Sequence, residues 1–199
     1  KLLRKNFYFT GGTALAHFYL QHRLSEDLDF FSQQELDTEY LLAQMQKWSQ
    51  KYGFAMESRF NEVVYSFNLT FSNNAKFKVD FGYYPYKLLE KGPDEEGLII
   101  DSFKDISVNK LFTINQRTNV KDFVDLYFLL QKEFTVWDLI YGKEAKFKME
   151  TDILLLAEDF LKIEDFEALP RMTKPLDLDQ LKKFFRGKAK ELGKRAVEP

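Results

Sequence analysis

Cysteine is absent from the 199 residues, which excludes disulfides and thiolate metal ligands. Histidine is nearly absent too. His17 and His22 are the only two, and neither has another ligand type at metal-binding spacing, so a zinc site has no support. No Gly-x-Ser-x-Gly, cysteine nucleophile or P-loop lysine motif occurs, which removes the commoner hydrolase and P-loop chemistries. No apolar run approaches a membrane span and no signal-peptide pattern opens the chain, so a cytoplasmic protein with no membrane partner is expected. The first residue is Lys rather than Met, and the native start is expected upstream. A net charge of −2 argues against bulk electrostatic attraction to nucleic acid, though a local basic patch remains compatible with it.

What is present is a large apolar and aromatic content: 45% hydrophobic residues, including 21 Phe and 10 Tyr, enough for a packed core. "FYFT" (residues 7–10) reads as a short buried strand stopped by Gly11 and Gly12. Residues 13–22 read as a helix and "DLDFF" (27–31) as a second strand. Residues 37–52 form an amphipathic pattern with Asp37 or Thr38 as N-cap and Gly53 as stop. From Gly53 to about Pro85 the period changes to two. "EVVYSFNLTF" and "KFKVDFGYY", separated by the turn signal "SNNA", read as a hairpin. "GLII" (97–100) adds an expected edge strand. Residues 102–116, 121–132, 136–147 and 151–169 look helical. The expectation is an α+β region over 1–101 followed by a helical region over 102–199. The tail from residue 182 carries seven cations (Lys182, Lys183, Arg186, Lys188, Lys190, Lys194, Arg195) against Glu191 and Glu198, a pattern of a solvated helix or of a strip along an RNA backbone.

The chemistry concentrates in two places. Residues two apart on a strand share a face about 6.5–7 Å apart, so Asp27 and Asp29 point one way while Leu28 and Phe30 point into the core. In "KFKVDFG" Asp80 leaves its strand opposite Phe77, Val79 and Phe81. If the two strands are neighbours, Asp27, Asp29 and Asp80 form an acidic triad suited to hard divalent ions, Mg²⁺ above all and Mn²⁺ in its place. Paired ions about 4 Å apart serve in-line phosphoryl transfer. Gly11 and Gly12, between a strand and a helix start, let backbone N–H groups approach a phosphate, and Thr13 can cap the helix or donate to a phosphate oxygen. Each feature alone commonly marks only a turn or a solvated edge, but all occur together where one chemistry needs them. Tyr83, Tyr84 and Tyr86 could stack on a base, with ordinary packing the commoner use.

These residues, Gly11, Gly12, Asp27 and Asp29, with the "HR-x-S-x-D" run of His22, Arg23, Ser25 and Asp27, resemble the signature of the AbiEii-type nucleotidyltransferase toxins within the polymerase-β-like superfamily. "VNKLFTINQRTNVKDFVDLYFLL" resembles the same family's second segment, through Lys110, Arg117, Lys121, Asp122 and Asp125. The resemblance spans about residues 7–130. It implies a nucleotidyltransferase-like mixed sheet with flanking helices and a helical C-terminal half. It implies transfer of a nucleotide from an NTP to an acceptor hydroxyl, with tRNA 3′ ends as acceptor and a cognate antitoxin as partner. Joined to the alternation that offers Asp80, this reading sets Asp27, Asp29 and Asp80 on the metal, Gly11, Gly12, Thr13 and Ser25 on phosphates, and Arg23 and Lys110 against the leaving pyrophosphate. Lys110 and Arg117, seven apart, would share a helix face, as would Asp122 and Asp125, three apart, giving Arg117, Asp122 and Asp125 as additional site residues. Two rivals stand beside the transferase acting on RNA: a nucleotide- or partner-binding domain without turnover, and an enzyme that modifies protein.

Overall fold

The computed structural model describes residues 2–197; Glu198 of the basic tail lies outside them. Contacts divide the chain into two compact units. The first comprises residues 1–14, 25–87 and 91–102, the second 15–24, 88–90 and 103–199.

The first unit is built on a seven-stranded mixed sheet. In chain order it contains α1 (Leu2–Asn6), β1 (Tyr8–Thr10), α2 (Gly11–Ala14), β2 (Leu28–Ser32), α3 (Thr38–Tyr52), β3 (Phe54–Asn61), β4 (Val64–Phe71), β5 (Lys76–Tyr83), β6 (Asp94–Glu95) and β7 (Leu98–Ile100). The strand order is β3-β4-β5-β2-β1-β7-β6. β2 runs parallel to β5, and β1 parallel to β7; the remaining neighbours are antiparallel. The "GLII" segment is thus an interior strand, β7, because two residues, Asp94 and Glu95, pair outside it. The hairpin of β4 and β5 forms as the alternation predicts, and a third antiparallel strand, β3, extends it.

Alternation decides which face is dry. Tyr65, Phe67, Leu69, Val79 and Phe81 pack with Leu41 and Met45 of α3 into one core, with Leu28 and Phe30 of β2 against it. At about 25 cal/mol per Å² of apolar surface removed from water, such faces are the main source of stability. α3 is fixed at both ends: the Asp37 side chain accepts the Tyr40 N–H, and Gly53 at φ +70° donates to the Ser49 carbonyl. The Gly-Gly pair opens α2 rather than preceding it, and a π-helical turn, residues Leu15–Leu20, continues the chain into the second unit.

The second unit holds α4 (Phe103–Gln116), α5 (Val120–Lys132), α6 (Val136–Phe147), α7 (Ile153–Leu161) and α8 (Leu178–Val197). Phe123, Phe160 and Phe185 are fully buried and meet edge-on, with Leu111, Ile114 and Leu126 equally buried. A buried ion pair also runs through it. Lys146 of α6 meets Asp105 of α4 at 2.6 Å, and neither side chain is exposed to solvent. Asp105 also accepts the backbone N–H groups of Leu89 and Glu90, tying residues 88–90 to α4. Removing one member of a buried pair costs about 3–5 kcal/mol, because the other charge stays buried. Lys146→Met is therefore expected to lower the midpoint of urea unfolding by that order, whereas the exposed Lys183→Met should stay within about 0.5 kcal/mol of the parent.

Candidate functional site

β2 and β5 pair in register, Leu28 with Val79 and Asp29 with Asp80. Register partners on neighbouring parallel strands project from the same face about 4.8 Å apart, so the two carboxylates stand side by side. Thr10 of β1 is the next partner in that row, opposite Asp29, and its hydroxyl donates to Asp101 Oδ2 at 2.7 Å. Gly11 follows at φ +75°, a conformation that side chains with a Cβ resist. A Cβ built on it would stand 2.0 Å from Asp29 Oδ2 and 2.7 Å from its Cγ. Position 11 is glycine for two reasons at once, and the chain reverses directly against a carboxylate. Thr13 Oγ1 hydrogen-bonds Ser25 Oγ at 2.9 Å and donates to the Asp27 carbonyl. One unit therefore gathers Gly11, Gly12, Thr13, Ser25, Asp27, Asp29 and Asp80 around the start of α2.

The triad expected from the sequence is not gathered as one cage. Among the described residues no group of three or more His, Cys, Asp or Glu side chains is placed to hold a metal ion. Asp27 is exposed and precedes β2, so the sheet does not fix it. Asp80 is already engaged: its Oδ2 meets Lys78 Nζ at 2.5 Å, while its Oδ1 is buried with no hydrogen-bond partner among the described residues. Lys78 lies two positions earlier on the same face of β5. Its ammonium stands in for a cation at Asp80, and the buried unsatisfied oxygen is what a hard cation or a hydroxyl donor would complete. The donor chemistry thus fits a divalent ion at Asp29 and Asp80, with Asp27 to be drawn in. The sequence carried the signal for Lys78 as Lys-x-Asp on one strand face. Tyr84 packs on Phe31 and Tyr86, each at 4.9 Å between ring centres, which is ordinary packing.

The second motif forms a separate network inside the helical unit. Asp122 and Asp125 share a face of α5, as their spacing predicts, and both are buried. The cap of α5 is Asn119, whose side chain accepts the Lys121 N–H. Asp125 takes Arg23 Nε at 2.6 Å and Nη2 at 2.8 Å, His22 Nε2 at 2.7 Å, and Lys110 Nζ at 2.6 Å. Asp122 takes Lys110 Nζ at 2.8 Å and Arg117 Nε at 2.9 Å. His22 does not bond locally but reaches across the sequence to α5, and its Nδ1 is buried without a hydrogen-bond partner among the described residues.

Lys110, expected against the leaving pyrophosphate, is 7% exposed with its charge held by two carboxylates. Arg117 lies just past the end of α4, so it meets Lys110 at Asp122 rather than along one helix face. Spacing of seven cannot say whether a helix face looks in or out; the two aspartates decide it. Burial alone would raise the carboxyls of Asp122 and Asp125, but Lys110 with Arg117 on one and Arg23 and His22 on the other overcomes it, holding both below the ordinary carboxylate range. Burial likewise opposes the charge of Lys110, and Asp125 and Asp122 overcome it, raising its pKa.

Depressed carboxyls bind protons more weakly when folded. Their stabilisation is complete above about pH 5 and is lost as pH falls through the unfolded carboxyl value, about 4, and below it. Asp125→Asn should cost about 3–5 kcal/mol at pH 7, by stranding buried cations, and should flatten the loss of stability between pH 5 and pH 3. Urea unfolding at stepped pH measures both, and an unchanged acid slope would contradict the assignment.

The fold has parallels. A Helicobacter pylori protein described as a nucleotidyltransferase superposes with a TM-score of 0.59 at 22% identity, over 99% of this chain and 92% of that one. The MenT4 nucleotidyltransferase toxin of Mycobacterium tuberculosis gives 0.54 at 18% identity, over 94% and 78%. At such identities the likeness is one of fold. An uncharacterised protein of Aquifex aeolicus is 32% identical over 194 residues, covering 94% of this chain and 87% of its own. The family model of the nucleotidyl transferase AbiEii toxins of type IV toxin–antitoxin systems matches residues 1–193. With the acid pair, the glycine turn and both motif segments inside that match, the chain belongs to the AbiEii nucleotidyltransferase toxin family.

Proposed function

We propose that the protein transfers a nucleotide from an NTP to an acceptor hydroxyl, with the tRNA 3′ end as acceptor, in the cytoplasm and under the control of a cognate antitoxin. One observation carries the reading: Asp29 and Asp80 stand in register beside the Gly11–Thr13 turn. The acceptor oxygen attacks the α-phosphorus of the NTP, the bond to the bridging oxygen breaks, and pyrophosphate leaves. Backbone N–H groups at Gly11 and Gly12, with the hydroxyls of Thr13 and Ser25, bind phosphate oxygens. Asp29 and Asp80, joined by Asp27, would hold Mg²⁺, or Mn²⁺ in its place; when bound the ion neutralises phosphate charge and orients the reacting groups. Asp80 Oδ1, which has no hydrogen-bond partner among the described residues, would take the proton of the incoming hydroxyl.

Arg23 and Lys110 take a different part from the one the resemblance implies. Their charges are met by Asp125, so they act as positioning residues that anchor His22 and Arg23 to α5. Arg117, Asp122 and Asp125 belong to that anchor. The pyrophosphate is then met by the donors around Gly11, Gly12, Thr13 and Ser25.

Purified protein with α-labelled NTPs, Mg²⁺ and either total tRNA or total lysate tests the reading. The expected result is label in tRNA, reduced to background in Asp29→Asn with its thermal unfolding unchanged. Label in protein alone would make it a protein-modifying enzyme. Tight NTP binding without transfer would make it a binding domain. Full transfer by Asp29→Asn would overturn the assignment of the acid pair.

A further inference from the structure

The acid face of the sheet does not end at Asp80. Register carries it outward: Asp80 opposes Ser66 of β4, which opposes Arg59 of β3, while Lys78 opposes Asn68, which opposes Glu57. One step further lie Lys76, Thr70 and Ala55. These side chains all project from the face opposite Tyr65, Phe67, Val79 and Phe81, which α3 covers. None of them is buried. The polar face of β3, β4 and β5 is thus an open platform that begins at the proposed reacting centre.

Its composition is specific. Three cations, Arg59, Lys76 and Lys78, face one acid besides Asp80, namely Glu57. Neutral donors, Ser66, Asn68 and Thr70, lie between them on β4. Lys78 is held at the inner edge by Asp80. Arg59 and Lys76 have no ion-pair partner among the described residues, although Glu57 lies on the same strand as Arg59. Lys76 and Lys78 are separated by about 6.6–7 Å along β5. No aromatic side chain projects from this part of the face. Cations interspersed with hydroxyl and amide donors are the set that contacts phosphates and sugars, and without rings there is nothing to stack on bases.

The basic helix α8 offers a weaker claim. Arg186 pairs with Glu164 at 2.9 Å, Lys188 with Glu191 at 2.9 Å, and Lys182 donates to the Glu164 carbonyl at 3.0 Å. Arg195 lies over the Trp137 ring, 4.8 Å from its centre. Four of its seven cations are therefore engaged within the helical unit, three of them by the carboxylates of Glu164 and Glu191.

We infer that the polar face of β3–β5 is the docking surface for the acceptor, an RNA strand held through its phosphates by Arg59, Lys76 and, at the reacting end, Lys78. The inference rests on the nucleotidyltransferase reading for the identity of the bound strand as acceptor. Binding is indifferent to sequence. A hydroxyl presented next to Lys78 meets Asp80 directly, so the platform sets where the strand ends relative to the acid pair.

Fluorescein-labelled total tRNA, titrated in EDTA without NTP and followed by anisotropy from 50 to 200 mM salt, tests the surface apart from catalysis. Each phosphate contact to a single strand contributes about 0.7 to the slope of log affinity against log salt. The double substitution Arg59→Gln with Lys76→Gln should lower that slope by about 1.4 and weaken binding about tenfold near 150 mM salt. Both side chains are exposed, and unchanged thermal unfolding confirms that the variant folds. The double substitution Lys183→Gln with Lys190→Gln on α8 should leave the slope as in the parent. An unaltered slope in the β3–β5 variant, or a loss confined to the α8 variant, overturns the proposal. So does a parent that binds no tRNA but labels protein in lysate. If the β3–β5 variant loses binding while the parent transfers no nucleotide to any acceptor, the surface stands and the transferase reading falls.

Discussion

Everything at the proposed centre depends on the register of β2 against β5. Side chains alternate along a strand, so a slip of one residue would send Asp80 into the space of Phe81 and bring Val79 or Phe81 to the polar face. The apolar set Leu28, Phe30, Val79 and Phe81 prevents that slip by burying on α3. The carboxylates are thus placed by the core behind them. The turn at Gly11 depends on the neighbouring register of β1 against β2, which sets Thr10 opposite Asp29, because the space it needs is bounded by Asp29. A sheet that spends its hydrophobic face on stability leaves the opposite face free for charge, and here that face carries both the acid pair and the cations beyond it.

Two solutions to the cost of burying charge occur side by side. In the helical unit Asp122 and Asp125 are fully paired, by bidentate arginine and by a shared lysine, and their pKa values fall accordingly. At the sheet the pairing is deliberately incomplete: Asp80 has one oxygen held by the flexible Lys78 and the other without a partner. A half-exposed lysine can swing away at little cost, since surface ion pairs contribute only about 0–1 kcal/mol. The first arrangement suits an anchor and the second suits a site that must accept a ligand.

Much of this was legible in the chain. Alternation in "KFKVDFG" places Asp80 opposite the aromatics, and the Asp37 cap and Gly53 stop bound α3 correctly. The family signature drew Arg23, Ser25, Lys110 and Asp125 into consideration before any contact was known. What escaped were the ion pairs between side chains distant in sequence. Lys110 reads as a cation offered to a phosphate until Asp122 and Asp125 close on it. Arg23 and His22 meet Asp125 more than 100 residues away, a pairing no local pattern encodes. The two-residue strand β6 is too short to have a period, so β7 reads as an edge. Lys78 was visible only as one polar step of an alternation, because the ion pair with Asp80 follows from side-chain reach rather than from spacing.

The central claim is that Asp29 and Asp80 act as one ligand pair. Mn²⁺ titration followed by electron paramagnetic resonance, on the parent and on Asp29→Asn, Asp80→Asn and Lys78→Met, tests it without any substrate. The account predicts that each Asn variant loses bound Mn²⁺ and that Lys78→Met binds it more tightly than the parent, because the tethered ammonium no longer competes at Asp80. Undiminished Mn²⁺ binding in Asp80→Asn would contradict the account.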